Sequence, residues 1–198
     1  MSRPIAKDHD EKRSHILKIA ARVFAEQGYA RASMSQVAKE CGISKANIYH
    51  YYSSKDALLF DILDTYLSAL RDRIIGLDLS GLDPSVQLGR IVLETLRAYE
   101  GMDHEHKIQT EGIPSLPYDQ QKTLKAYQRV LVDQLSHVVA AIAPEVFNSD
   151  ARKLRATVMS IFGMLNWFYM WNSAADHRAR DDYAQLVTQL TLTGVRDL

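Results

Sequence analysis

The stretch that most constrains this chain runs from Ser35 to Lys55, SQVAKECGISKANIYHYYSSK. Val37, Ala38 and Cys41 recur at helical spacing and mark the inner face of a short helix. Gly42 breaks that helix where a residue free to take positive φ lets the chain reverse. Ile43 supplies an apolar plug for the turn, and Ser44 is a natural N-cap for a second helix. Between Lys45 and Tyr51 only Ile48 is an inward anchor. The outer positions are Lys45, Ala46, Asn47, Tyr49, His50 and Tyr51, a hydrogen-bonding surface with one small residue where close approach is useful. Helix, glycine turn, helix is the arrangement that lays its second helix into a DNA major groove.

The charge balance tests that expectation. Lys and Arg number 24 against 24 Asp and Glu, so the chain as a whole is formally neutral. Residues 1–60 nevertheless carry ten basic against six acidic side chains, leaving 14 against 18 elsewhere. The positive excess coincides with the two-helix stretch, where an electrostatic footprint for nucleic acid belongs. With 46% hydrophobic and 24% charged residues, 198 residues are enough for a real core in one or two modules. The single cysteine, Cys41, excludes an internal disulfide and suits a reducing compartment; on an inner helix face it reads as a small core residue. No N-terminal apolar run suggests a signal peptide and no apolar run is long enough to span a bilayer, so a cytoplasmic protein without a membrane partner is expected.

Helical periodicity extends through the chain. Residues 1–9, with Arg3, Pro4 and Lys7, show none and are expected to be a disordered tail, with a basic minor-groove arm as the alternative. From about Asp10 to Gln27, Ile16, Ile19, Ala20, Val23 and Phe24 define an amphipathic helix that stops at Gly28. Ser33 or Ser35 can cap the next one. After the two-helix stretch, Ser53 and Ser54 restart a helix whose apolar stripe runs from Leu58 to Ile74. Asp83-Pro84 opens a helix to about Gly101. A short piece from Asp103 is expected to be stopped by Gly112-Ile-Pro-Ser-Leu-Pro117. Further helices are expected over Leu124–Ile142, from about Ala151 to Ala175, and from about Ala179 to Val195. The expected fold is all-α with about nine helices: a DNA-binding domain over residues 1–54 and a helical effector-binding and dimerisation domain over 55–198.

The run from Ala32 through SMSQVAKECGISKANIYHYYSSKDALL closely resembles the DNA-binding signature of TetR-type (TetR/AcrR) transcriptional regulators, and Ile16-Leu-Lys-Ile-Ala-Ala-Arg-Val-Phe-Ala-Glu-Gln-Gly-Tyr is similar to that family's first helix. The likeness covers roughly residues 10–65. Ala46 stands where glycine is also common, and Tyr52 where phenylalanine is usual. The resemblance implies that the second helix of the motif and the following lysine contact DNA. Lys45 and Lys55 then suit phosphates, and Ser35, Ser44, Tyr49 and Tyr51 can donate hydroxyl hydrogen bonds to phosphate oxygens. Asn47 and His50 can read base edges, Ala46 can pack on a thymine methyl, and Gln36 completes the set. The partner implied is a double-stranded, palindromic operator bound by a homodimer.

Val158–Trp171, VMSIFGMLNWFYMW, is apolar nearly all round and must be covered on several sides. One side can meet the helical bundle and the other a second copy, and the resemblance implies dimerisation through the last two long helices. Its Met and aromatic residues also suit an adaptable apolar cavity, a feature the resemblance implies for this half. Tyr99, Tyr127, Met164, Asn166, Trp167, Phe168 and Trp171 are the candidate ligand residues, with a small apolar effector, acyl-CoA thioesters among the candidates, as the expected ligand. Asp103-His-Glu-His106 lacks metal-ligand spacing, and no nucleophile motif, phosphate loop or acid/base pair occurs, so neither enzyme activity nor a metal or other cofactor is expected. The rival from another class is an architectural DNA-binding protein that responds to no ligand.

Overall fold

The computed structural model describes residues 3–172 and 175–195; the side chains of residues 3–8, and with them the expected basic arm at Arg3, Pro4 and Lys7, lie outside the described residues. Among the described residues there are ten helices and no strand. They are α1 (Arg3–Gln27), α2 (Met34–Glu40), α3 (Lys45–Tyr51), α4 (Lys55–Ile75) and α5 (Pro84–Ala98). The rest are α6 (Asp103–Ser115), α7 (Tyr118–Ile142), α8 (Pro144–Phe147), α9 (Ala151–Trp171) and α10 (His177–Gly194).

The helices differ from the sequence reading at several points: α7 begins at Tyr118 rather than Leu124 and α9 ends at Trp171 rather than near Ala175, and three further differences have a local cause. Helix α1 begins at Arg3 rather than near Asp10, because Pro4 sits in its first turn, where no intrahelical N–H is lost. Helix α6 continues through Gly112 and Pro114 to Ser115 instead of stopping. Proline so close to a helix end forfeits only one bond, and Gln121 Nε2 donates to the Pro114 and Leu116 carbonyls beyond it at 3.2 and 2.8 Å. The tenth helix is the single turn α8, started by Pro144 between two longer helices.

The chain divides into two compact units. The first takes the residues up to Leu67 with His104–Lys125, and the second Ser68–Asp103 with the residues from Ala126 onward. This packing division is discontinuous in sequence, whereas the 54/55 boundary expected above is a division of roles. In the first unit Ile16, Ala20, Phe24, Val37, Ala38, Ile48, Leu58, Leu59 and Leu63 form the core. Helix α6 approaches α4 closely: a Cβ on Gly112 would stand 3.2 Å from one Leu59 methyl and 3.6 Å from a Leu63 methyl. Tyr66 of α4 and His106 of α6, both buried, share a 2.9 Å hydrogen bond.

In the second unit α5 packs along α10. The contact is pinned by Arg97, whose Nε and Nη2 donate to Asp181 at 3.1 and 2.9 Å. Buried Arg180 donates to the Leu96 carbonyl at 3.0 Å, placing a cation at the negative end of α5. Helix α9 turns Val158, Ile161, Leu165 and Phe168 inward.

Candidate nucleic-acid interface

The interface is built from two caps and one clamp. Ser33 Oγ accepts from the Gln36 N–H at 3.2 Å and starts α2; Ser44 Oγ accepts from the Asn47 N–H at 3.1 Å and starts α3. Each cap contributes about 1 kcal/mol to a helix of only two turns, too short to form unaided. Gly42, at φ +68°, turns the chain between them. Ile48 is fully buried and fixes α3 to the unit, an anchor of about 2 kcal/mol. With that one side chain turned inward, Lys45, Ala46, Asn47, Tyr49 and His50 are exposed and Tyr51 is half-buried.

Helix α4 secures the motif from behind with two carboxylates. Asp61 accepts from Arg13 Nε of α1 at 2.9 Å, from Arg13 Nη2, and from the Tyr52 hydroxyl at 2.6 Å. Asp56 accepts from the Tyr29 hydroxyl. Burial, reinforced by these carboxylates, pushes both phenols well above the ordinary tyrosine range, so each stays protonated as a donor. Tyr52 is the position where phenylalanine is usual in the family signature, and the added hydroxyl is what ties the end of α3 to α4.

Lys55 is held by the protein's own backbone. Its ammonium donates to the carbonyls of Tyr29, Ala30 and Ala32 at 2.8, 3.2 and 3.0 Å and lies 4.4 Å from the Tyr29 ring centroid. An ammonium has three N–H donors, and these carbonyls engage all of them. In this structure Lys55 therefore clamps the loop between α1 and α2. Gln36 is also engaged, donating to Glu40 at 3.1 Å. Ser35 is exposed in the first turn of α2, and Ser44 keeps its hydroxyl proton for a further bond.

One contact could not be read from sequence. His9 of α1 stacks on Tyr51 of α3 with ring centroids 5.1 Å apart and planes 26° apart, while His50 meets Tyr51 edge-on at 6.0 Å. Cys41 lies buried beneath the turn, and burial, with Glu40 adding to it, pushes its thiol up to about 11.

The candidate ligand residues fall into separate groups within the second unit. Buried Tyr99 donates to Asn166 Oδ1 at 2.8 Å, which gives the amide on α9 a partner in the same protomer. Phe168 stacks on Tyr183 at 4.6 Å, and Trp171 meets Phe168 edge-on at 5.0 Å. Met164 is half-buried, and its carbonyl accepts from the Tyr183 hydroxyl at 3.1 Å. Tyr127 is half-buried under the Arg71 guanidinium, 4.5 Å from its ring centroid. Trp167 is 62% exposed and Trp171 59%. With Met159 and Met170 on α9 and Leu186 and Leu190 on α10, they leave large apolar side chains exposed on both of the last long helices.

A capped helix pair joined by a glycine turn, with a polar outward face, is a helix-turn-helix motif of the kind that binds DNA. The family described as bacterial regulatory proteins, tetR family, matches residues 16–62, and the tetracyclin repressor-like C-terminal domain matches residues 81–195. The chain belongs to the TetR family. Its fold is similar to that of a TetR-family transcriptional regulator from Bordetella parapertussis 12822, with a TM-score of 0.85 and 32% identity over 94% of this chain and 96% of that one. It is also similar in fold to AibR in complex with isovaleryl coenzyme A and operator DNA, with a TM-score of 0.75 and 20% identity over 90% and 97% of the two chains. In sequence it is 32% identical over 109 residues to the HTH-type transcriptional repressor KstR2 of Rhodococcus jostii, covering 54% of this chain and 52% of that protein. Against other curated relatives it matches, the matched stretch is as little as 25% of the relative's length. No helix among the described residues is long and apolar enough to cross a membrane.

Proposed function

We propose that this protein is a homodimeric transcriptional repressor that binds a palindromic operator through α3 and is released by a largely apolar small molecule. The observation that carries the reading is α3 itself: one buried anchor, Ile48, and an outward face of Lys45, Ala46, Asn47, Tyr49 and His50. Asn47 and His50 are the candidates for base edges and Ala46 for a thymine methyl. Lys45, Ser35, Ser44, Tyr49 and Tyr51 are the candidates for phosphates. The exposed apolar side chains of α9 and α10 support pairing with a second copy, since two Trp, two Met and two Leu facing solvent are costly to leave wet. A two-fold dimer sets two reading helices about 34–36 Å apart, one turn of DNA.

The effector site is assigned to residues 55–198, with the Tyr99–Asn166 pair as its polar feature. A protein of similar fold is described in complex with isovaleryl coenzyme A, which supports testing acyl-CoA thioesters first. Release would work through α4. Its first turns hold the motif through Lys55, Asp56 and Asp61, so a shift of α4 displaces α3 and spoils the half-site separation. A coupling of ~2.7 kcal/mol would weaken operator binding about a hundredfold.

The test is a gel-shift on the DNA upstream of the protein's own coding sequence, repeated with acyl-CoA thioesters and the matching free acids, beside light scattering for oligomeric state. A dimer that binds one site and is released by one compound class supports the reading. Binding without sequence preference and without release by any compound would instead favour the architectural protein.

A further inference from the structure

The stacking of His9 on Tyr51 places a residue of α1 against the face by which α3 is proposed to meet DNA. His9 and His50 are both exposed and both meet the Tyr51 ring, one face-on at 5.1 Å and one edge-on at 6.0 Å. Three rings from two helices therefore form one continuous surface at the end of the reading helix. We propose that His9 is a DNA-contacting residue that binds operator phosphate in its protonated form, so that each protomer takes up protons when it binds DNA. The inference rests on the reading above that α3 enters the groove.

The chemistry follows from the side chain. Imidazole is the one ordinary side chain whose charge changes between pH 5 and 8, and a phosphate favours its cationic form. Charged, it donates from both ring nitrogens and adds a cation–π contact to a phenol beneath it. Among the described residues the contact of His9 with a carboxylate is long and solvent-exposed. Asp10 Oδ1 lies 3.9 Å from its Nδ1, on a side chain 82% exposed. Glu11, Lys12 and Arg13 follow on α1, and the Arg13 guanidinium is occupied by Asp61 of α4. From α3 the titratable neighbours are Tyr51 and His50, and Lys45 is that helix's remaining charged group. Each histidine that is charged only in the complex adds one neutralised phosphate, and so steepens the dependence of log K on log salt by about 0.9.

The experiment measures operator affinity of the full chain from pH 6 to pH 8 at fixed ionic strength, for the wild type, His9→Gln, His50→Gln and the double variant. The wild type is expected to bind roughly ten- to a hundredfold more tightly at pH 6, a factor of about ten for each unit by which DNA raises one imidazole's midpoint. His9→Gln should lose part of that gain and the double variant more of it, with His9→Gln and the wild type alike at pH 8. Calorimetry in two buffers of different ionisation enthalpy should show fewer protons taken up by the double variant. The other histidines are common to all four proteins and cancel. A pH profile shared by wild type and double variant overturns the proposal, as does a His9→Gln profile identical to wild type. Weakened binding of His9→Gln at pH 8 also overturns it, since the role is then not that of a cation. Failure of the wild type to bind any specific DNA at any pH removes the parent reading instead, and this one with it.

Discussion

Replacing Lys55 by methionine separates two roles that a lysine at the start of α4 can play. Methionine keeps most of the apolar stem and removes the ammonium, and with it the three bonds to Tyr29, Ala30 and Ala32 and the contact with the Tyr29 ring. A hydrogen bond to a charged group contributes about 1.5–3 kcal/mol, but the three share one cation, and Ala30 is exposed, so water replaces part of the loss. The expected cost is about 2 kcal/mol, or roughly a 30-fold increase in local opening. Tryptophan emission is the wrong probe, because Trp167 and Trp171 both lie on α9, outside the first unit. Hydrogen exchange of amides 29–41 reads the right segment, and far-ultraviolet circular dichroism in urea reads the whole. Operator affinity should fall because the motif is less well held, with an unchanged salt slope. A phosphate contact would do the opposite: stability unchanged and the salt slope shallower by about 0.9. That result would refute the clamp and restore the role expected from sequence.

Three further outcomes follow from the first unit. Tyr52→Phe, a return to the residue usual in the family signature, should cost about 1 kcal/mol in urea unfolding, because Arg13 still satisfies Asp61; no change in midpoint would remove the hydroxyl from the anchor. Cys41 should resist alkylation at pH 8 in the native state and react at once in urea. Its buried thiol holds its proton up to about 11 against an ordinary 9, so its contribution is complete below pH 9 and lost as pH rises through 11. Gly112→Val should lower stability by about 2 kcal/mol, since its Cβ already meets two Leu59 methyls at 3.2 and 3.3 Å; calorimetry showing a rise would mean α6 has room to spare.

Local chemistry made much of the fold legible. The caps at Ser33 and Ser44, the turn at Gly42 and the anchor at Ile48 each depend on neighbours within a few residues, and their types name their roles. The contacts that hold the motif to its scaffold do not. Asp61 meets Arg13 at a separation of 48 residues, and Lys55 reaches Tyr29 across 26. Nothing in periodicity says which charge meets which carbonyl, so Lys55 read as a surface cation. Tyr52 carried a usable signal, since a hydroxyl at a buried position requires a partner. His9 carried none, because its position matters only through the end of α3. On α9 the apolar wording was plain, but the division between buried Val158, Ile161, Leu165 and Phe168 and exposed Trp167 and Trp171 depends on which flank meets the rest of the unit.

The turn at Gly42 has a consequence of a different kind. A Cβ built there would meet no atom within 4 Å, yet the backbone sits at φ +68°. Nothing crowds this residue, so what excludes an alanine is the mirror sense of the backbone, at a cost of about 1–2 kcal/mol. A D-alanine would incur no such cost and would also narrow the freedom of the unfolded chain. Position 42 thus selects for handedness and is indifferent to size, and the genetic code meets that demand with its one achiral residue.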